Sequence, residues 1–373
     1  MRRQNLILFI LMILAALAAC TSAVSAPERT ASPVDPTGPL VSQSIVPIDG
    51  VVTGLDFAAN GDLFYITQNG GVYRKVALDG ELQNDEPPRR LLQLAVAEGT
   101  ETGLLGLALA GDFADSGHLF LFYTVADEAG APAGARLERY TLQTNQLTDQ
   151  VAIVTNLPAT ADQQYHYGGA LQLGPDGRLY LIFGDRNMLP EARDPATVPG
   201  SILRFNIDGS IPADNPFPGS PVYAYGIRNG FGLAWDGAGR LYETENGASC
   251  DDELNLILPG ADYGWGVHPY DSCPYPDDTG QPPVQQWTQI IAPAGLTFYD
   301  GQRLPEFAGD LLLCAFNQSQ LRHLELNEAG TEVVREEIVT VPGIIDPCRV
   351  VVRSGPDGWL YMANGRMIHR LGR

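Results

Sequence analysis

His166 and Asp185 are the residues in this chain best placed for acid–base chemistry. They bracket the stretch Tyr165 to Asp185, in which two apolar runs, Gly168 to Leu173 and Arg178 to Phe183, flank Gly174, Pro175, Asp176 and Gly177. Strand-like runs around such turn residues predict a β-hairpin. A turn that sets Leu173 opposite Arg178 puts His166 directly across from Asp185 at the open end; a bulge in the Gly168 and Gly169 segment would shift that register. A carboxylate facing an imidazole holds one tautomer and stabilises the imidazolium, which is how a general base is oriented.

Three further stretches carry candidate ligand-binding groups. In Tyr223 to Asp236, Arg228 and Asn229 stand between Gly226 and Gly230, in a turn that leads into a strand. In Glu245 to Asn255, Gly247 and its neighbours can turn carbonyl oxygens toward a hard cation, and Asp251 and Asp252 add negative charge nearby. The spacing is not that of an EF-hand. Glu101 to Gly106 reads as a loop entering a strand and by itself specifies nothing. The sequence has no Gly-x-Ser-x-Gly, phosphate loop, His-Glu-x-x-His or dinucleotide fingerprint, which weighs against serine hydrolases, ATPases, zinc proteases and NAD enzymes.

The elements that must position these groups are strands. A glycine-bearing turn followed by Leu and an aromatic or apolar residue recurs at Asn60, Ser116, Asp176, Ala238, Ala308 and Asp357. That spacing suits a four-stranded blade with its loops, so the repeat predicts an all-β, six-bladed β-propeller, with a pair of β-sandwiches as the alternative. No amphipathic helical stripe runs three turns without Gly or Pro, and 41 Gly with 28 Pro fit a chain of many tight turns. The apolar run Leu40 to Ile48 can supply a strand that closes the C-terminal unit, Gly358 to Leu371.

At 373 residues and 45% hydrophobic, the chain can bury a large core. Arg2 and Arg3, the apolar run Leu6 to Leu14 and Leu17-Ala18-Ala19-Cys20 resemble a bacterial lipoprotein signal, a plain secretory leader being the alternative. The expected organisation is a signal peptide at 1–19, a flexible Ser, Thr, Pro and Ala-rich tether at 20–40 behind a lipidated Cys20, and one domain at 41–373. Such a protein is exported and attached to a membrane through that lipid alone. A net charge of -21 argues against nucleic acid and requires local cations for any anionic ligand. Four cysteines follow Cys20; the preferred pairing is Cys250 with Cys273 and Cys314 with Cys348.

Taken in order, several segments resemble the glucose/sorbosone dehydrogenase family, soluble aldose dehydrogenases that use pyrroloquinoline quinone (PQQ). They are Gly103-Leu-Leu-Gly-Leu-Ala, His166-Tyr-Gly-Gly-Ala-Leu, Gly174-Pro-Asp-Gly-Arg-Leu-Tyr, Asp208-Gly-Ser-Ile-Pro-Ala-Asp-Asn-Pro, Gly226-Ile-Arg-Asn-Gly-Phe-Gly-Leu-Ala, Glu245-Asn-Gly-Ala-Ser-Cys-Asp-Asp-Glu-Leu-Asn and Asp262-Tyr-Gly-Trp. The resemblance implies a six-bladed propeller that oxidises an aldose at C1 to the lactone. His166 would take the C1 hydroxyl proton while hydride passes to the quinone, Asp185 would orient His166, and Arg228 with Asn229 would polarise the quinone carbonyl. Carbonyls at Gly247 and Ala248 would hold Ca2+ as a Lewis acid. Arg349 matches one of the cations that face the cofactor's carboxylates. Asn317 stands at the lysine position of that set and Pro347 at an arginine position; Glu101 stands for a glutamine and Ala170 for an arginine. The sugar and the electron acceptor are not specified. Two other functions fit the same scaffold: a non-catalytic surface propeller that binds a glycan or a protein, and a calcium-dependent lactonase.

Overall fold

The computed structural model describes residues 38–78, 80–82, 86–158, 164–266 and 280–373. The expected signal peptide, most of the expected tether and Cys273 lie outside the described residues. Six four-stranded antiparallel sheets follow one another along the chain, at 52–93, 104–157, 171–225, 230–287, 293–339 and 351–372, numbered here blades 1 to 6. The sixth takes its fourth strand from the start of the domain: Val41–Pro47 pairs antiparallel with Met367–Gly372, Val41 opposite Gly372 and Pro47 opposite Met367. The six-bladed propeller and its closing strand are thus as the repeat implied.

The first strand of each blade contacts the first strands of its two neighbours, so these six strands form the inner ring. They are Val52–Phe57, Leu104–Leu109, Leu171–Leu173, Gly230–Trp235, Pro293–Tyr299 and Val351–Ser354. Backbones approach closely there. A Cβ on Gly106, Gly232 or Gly295 would lie under 3.0 Å from the carbonyl oxygen of Gly169, Ala294 or Val350 on the next blade. The second strands are buried between neighbouring blades, and most read as apolar runs, Leu179–Phe183 being one; Leu241–Glu245 is the exception, with two glutamates.

The recurring turn joins the first strand of each blade to the second, and in three blades its side chains explain the sequence pattern. The Asp176 carboxylate accepts from the Arg178 N–H (3.1 Å) and the Tyr180 hydroxyl (3.0 Å). Asp357 does the same with Trp359 (3.2 Å) and Tyr361 (2.7 Å). Asp236 accepts from the N–H groups of Ala238 and Arg240, both 2.9 Å, and more loosely from the Tyr242 hydroxyl, 3.4 Å. The aspartate folds the turn, and the tyrosine on the next strand reaches back to satisfy it.

The hairpin register differs from expectation by one residue. Leu173 pairs with Leu179, not Arg178, and the strands are Leu171–Leu173 and Leu179–Phe183. The reason lies in the turn, where the Gly174 N–H donates to the Arg178 carbonyl (2.7 Å), so that Gly174 instead of Leu173 faces Arg178. Upstream of the first strand, Gly168 (φ 62°) and Gly169 (φ 109°) are left-handed, and Gly169 and Ala170 share Ile182 as partner, the Gly169 N–H donating to the Ile182 carbonyl and the Ile182 N–H donating to the Ala170 carbonyl (both 3.0 Å), as in a bulge.

Cys314, on the second strand of blade 5, is disulfide-bonded to Cys348, in the segment that leads into blade 6, as preferred from sequence. This bond ties the last two blades across 34 residues of chain. Replacing both cysteines by serine should lower stability by about 2–4 kcal/mol in denaturant melts, with the wild-type spectrum retained at low denaturant. An unchanged midpoint would show that the bond contributes nothing.

Candidate active site

Despite the shifted register, His166 and Asp185 meet. His166 Nδ1 lies 2.6 Å from Asp185 Oδ1, and the two side chains are buried. A one-residue slip sends a strand's side chains to the opposite face, and here the left-handed residues His166 (φ 60°), Gly168 and Gly169 return the imidazole to the acid. Gly184 completes the arrangement. A Cβ there would lie under 3.0 Å from the His166 carbonyl oxygen, so only glycine lets the two segments close.

Asp185 is held on all sides. Its Oδ1 also accepts from the Asn187 N–H (2.8 Å), its Oδ2 accepts from the Trp265 indole N–H (2.6 Å), and its own N–H donates to the Arg228 carbonyl (2.7 Å). Burial pushes its carboxyl up, but the bonds from His166, Asn187 and Trp265 outweigh that and hold it below the usual aspartate value. An ionised Asp185 can only accept, so Nδ1 carries the imidazole proton and Nε2 presents its lone pair.

Arg228 and Asn229 lie beside this pair. The Arg228 guanidinium donates to the Asn246 carbonyl (2.8 Å) and stands 5.5 Å from the Trp265 ring centroid. The backbone N–H groups of Arg228 (2.5 Å) and Asn229 (3.2 Å) both donate to Glu245 Oε1. Glu101 Oε2 accepts from the His166 N–H (2.6 Å) and from Asn229 Nδ2 (3.0 Å). The sequence brought His166, Asp185, Arg228, Asn229 and Glu101 into one list, and one hydrogen-bonded network holds them. Trp265, Glu245 and Asn246 were quoted within motifs but given no role.

The Gly247 loop adjoins that network through Asn246. Asp251 is buried in a left-handed conformation (φ 60°). The Asp252 carboxylate accepts from the N–H groups of Gly247 (2.9 Å), Ile291 (2.7 Å) and Ala292 (2.8 Å), so it braces the loop against blade 5 instead of standing open for a cation. Among the described residues, no three His, Cys, Asp or Glu side chains group as a metal site. A cation in this loop would rely on backbone carbonyl oxygens such as those of Gly247 and Ala248.

A cavity of about 260 Å³ opens at this end of the ring. Its wall includes Thr53, Gln68, Glu101, Gly168, Asn246 and Phe316. Arg349 is exposed and its guanidinium lies 5.7 Å from the Phe316 ring centroid; Asn317 is also exposed, its N–H donating to the Ile291 carbonyl (3.2 Å). Pro347 is buried, and Ala170 lines the cavity.

Behind the Arg228–Asn229 turn, Glu243 and Glu245 share one face of Leu241–Glu245 and are almost completely buried. Burial first and the neighbouring Glu245 charge second push Glu243 well above the carboxylate range; burial likewise raises Glu245, to about 8. Both therefore stay protonated in the folded chain at pH values where the unfolded chain has ionised. The stability this gives is fully present below the unfolded value of 4.5 and is lost as pH rises toward about 8. Thermal melts should show Tm falling from about pH 5 to about pH 8. Glu243→Gln should flatten that slope and raise Tm at the alkaline end; an unchanged slope would remove the pair as its source.

The Glucose / Sorbosone dehydrogenase family model matches residues 51–371. Aldose sugar dehydrogenase YliI of Escherichia coli is 31% identical over 283 residues, 70% of this chain and 73% of that protein. Quinoprotein glucose dehydrogenase B of Acinetobacter calcoaceticus is 32% identical over 250 residues, 60% of this chain and 48% of that protein. The PQQ-bound aldose sugar dehydrogenase structure from Streptomyces coelicolor superposes with a TM-score of 0.73 at 26% identity, covering 90% of this chain and 98% of that one.

Proposed function

This chain belongs to the Glucose / Sorbosone dehydrogenase family, and from that premise we propose that it oxidises an aldose at C1 to the lactone, with PQQ and Ca2+ as cofactors. The observation that carries the reading is the His166–Asp185 bond of 2.6 Å, placed within one network with Arg228 and with Glu101 on the cavity wall. The cavity suits a flat, anionic ring system. Leu105, Ala170, Phe231, Ala292, Ala294 and Val350 give it apolar walls, and Arg349 sets a positive charge against Phe316. PQQ would lie against these walls with Arg228, Asn229 and Arg349 as its polar contacts. The Gly247 and Ala248 carbonyls would hold the calcium.

Bound PQQ supplies the two-electron acceptor for the C1 hydride, and calcium supplies a Lewis acid. The remaining chemistry belongs to the chain. His166 Nε2 takes the proton of the C1 hydroxyl, and the imidazolium so formed is stabilised by Asp185 at Nδ1. Asn187 and Trp265 keep Asp185 from turning away, and the Arg228 side chain is fixed by Asn246 and Trp265. The sugar loses one hydride and one proton and becomes the lactone; an external acceptor then takes up the two electrons.

Apoprotein mixed with PQQ and calcium should reduce an artificial electron-acceptor dye when offered aldoses. No reduction across a broad panel, with no change in the quinone spectrum, would defeat the proposal. His166→Gln should lower turnover by at least about 100-fold while PQQ still binds, since only the base is removed. We also propose export with lipid attachment at Cys20, supported by the leader sequence. Labelled palmitate should enter the protein in cells and Cys20→Ala should abolish both labelling and membrane association; labelling that survives the substitution would refute it.

A further inference from the structure

Glu101 does more than line the cavity. Its N–H donates to the Gln164 carbonyl (3.0 Å), and one of its carboxylate oxygens receives both the His166 N–H (2.6 Å) and Asn229 Nδ2 (3.0 Å). A single side chain thus joins the loops that enter blades 2, 3 and 4. Two consequences follow from its chemistry. His166 has φ 60°, a conformation that a residue with a Cβ keeps only where its surroundings enforce it, and the Glu101 bond grips its backbone N–H. A carboxylate also cannot donate, so Asn229 must turn its NH2 toward Glu101 and leave its carbonyl oxygen on the other side. That oxygen is buried and has no hydrogen-bond partner among the described residues. A buried acceptor without a partner is costly, and a bound donor would remove the cost.

We propose that Glu101 is a positioning residue: it holds His166 in its left-handed backbone and locks the Asn229 amide with its oxygen turned to the ligand, so that the site recognises a hydrogen-bond donor there. The donor is an O–H or N–H group, from the sugar or from the cofactor. This inference rests on reading His166 as the base, but its first test does not require turnover.

In ligand-free protein, the His166 Nδ1 proton in its short bond to Asp185 should give a low-field NMR signal. Glu101→Gln, whose amide oxygen can still accept the His166 N–H, should keep that signal and keep kcat within about 3-fold. Glu101→Leu should shift or abolish it and lower kcat on the order of 100-fold, as expected when a catalytic group is displaced. Glu101→Ser serves the same purpose should the leucine variant not fold. A folded Leu or Ser variant with the wild-type signal and wild-type kcat would overturn the positioning role. Asn229→Leu then locates the donor. Weaker PQQ binding, followed by Trp fluorescence without sugar, assigns it to the cofactor; a raised KM with PQQ binding unchanged assigns it to a sugar hydroxyl. No change in either would overturn the recognition of a donor.

Discussion

The buried carboxylate of Asp185 is the constraint on which the site is built. A charged group with no solvent access is tolerated only where its oxygens are fully engaged. Asp185 meets that demand with the imidazole of His166, the N–H of Asn187 and the indole of Trp265, while its own N–H is tied to the Arg228 carbonyl. These partners come from the loops of blade 3, from the turn that leads into blade 4 and from the segment before the last strand of blade 4. Orienting the His166 imidazole and fastening those segments together are therefore one arrangement. Around it, the close approach of inner strands at Gly106, Gly232 and Gly295 keeps the ring tight enough for loops of different blades to share partners.

The fold was largely legible because its repeat is chemically local. An aspartate that folds a turn and a tyrosine a few residues on that reaches back to it leave a recognisable spacing, as at Asp176 with Tyr180 and Asp357 with Tyr361. The closing strand Val41–Pro47 was legible as an apolar run left over outside the repeats. The hairpin register was not, since Gly174-Pro175-Asp176-Gly177 suits a loop of four residues as well as the observed turn, which closes through the Gly174 N–H on the Arg178 carbonyl.

The residues that meet at the candidate site were legible where polar types stand in turns between apolar strands: His166, Asp185, and the Arg228 and Asn229 pair. Trp265 escaped because it lies 80 residues from Asp185 in sequence and an indole in an apolar chain usually reads as core. Glu245 escaped because its job is to receive the backbone of the Arg228–Asn229 turn, which leaves no trace in local sequence. Asp252 could not be placed from sequence: it stands beside a candidate cation loop, and its oxygens accept from three backbone N–H groups. Against the chain's net charge of -21, Arg228 and Arg349 stand out as cations beside cavity-wall residues, Arg228 bonded to Asn246 and Arg349 near Phe316. Close to the cavity, those two guanidinium groups offset an acidic background that would otherwise disfavour an anionic cofactor.

The central claim is that this end of the propeller removes hydride from a sugar C1 carbon while His166 removes the hydroxyl proton. Its most direct test is the rate of dye reduction by the PQQ- and calcium-loaded protein with an aldose deuterated at C1. The account predicts a rate several-fold slower than with the protiated sugar under single-turnover conditions, because the C1–H bond breaks in the step that His166 assists. Equal single-turnover rates for the two sugars would contradict it.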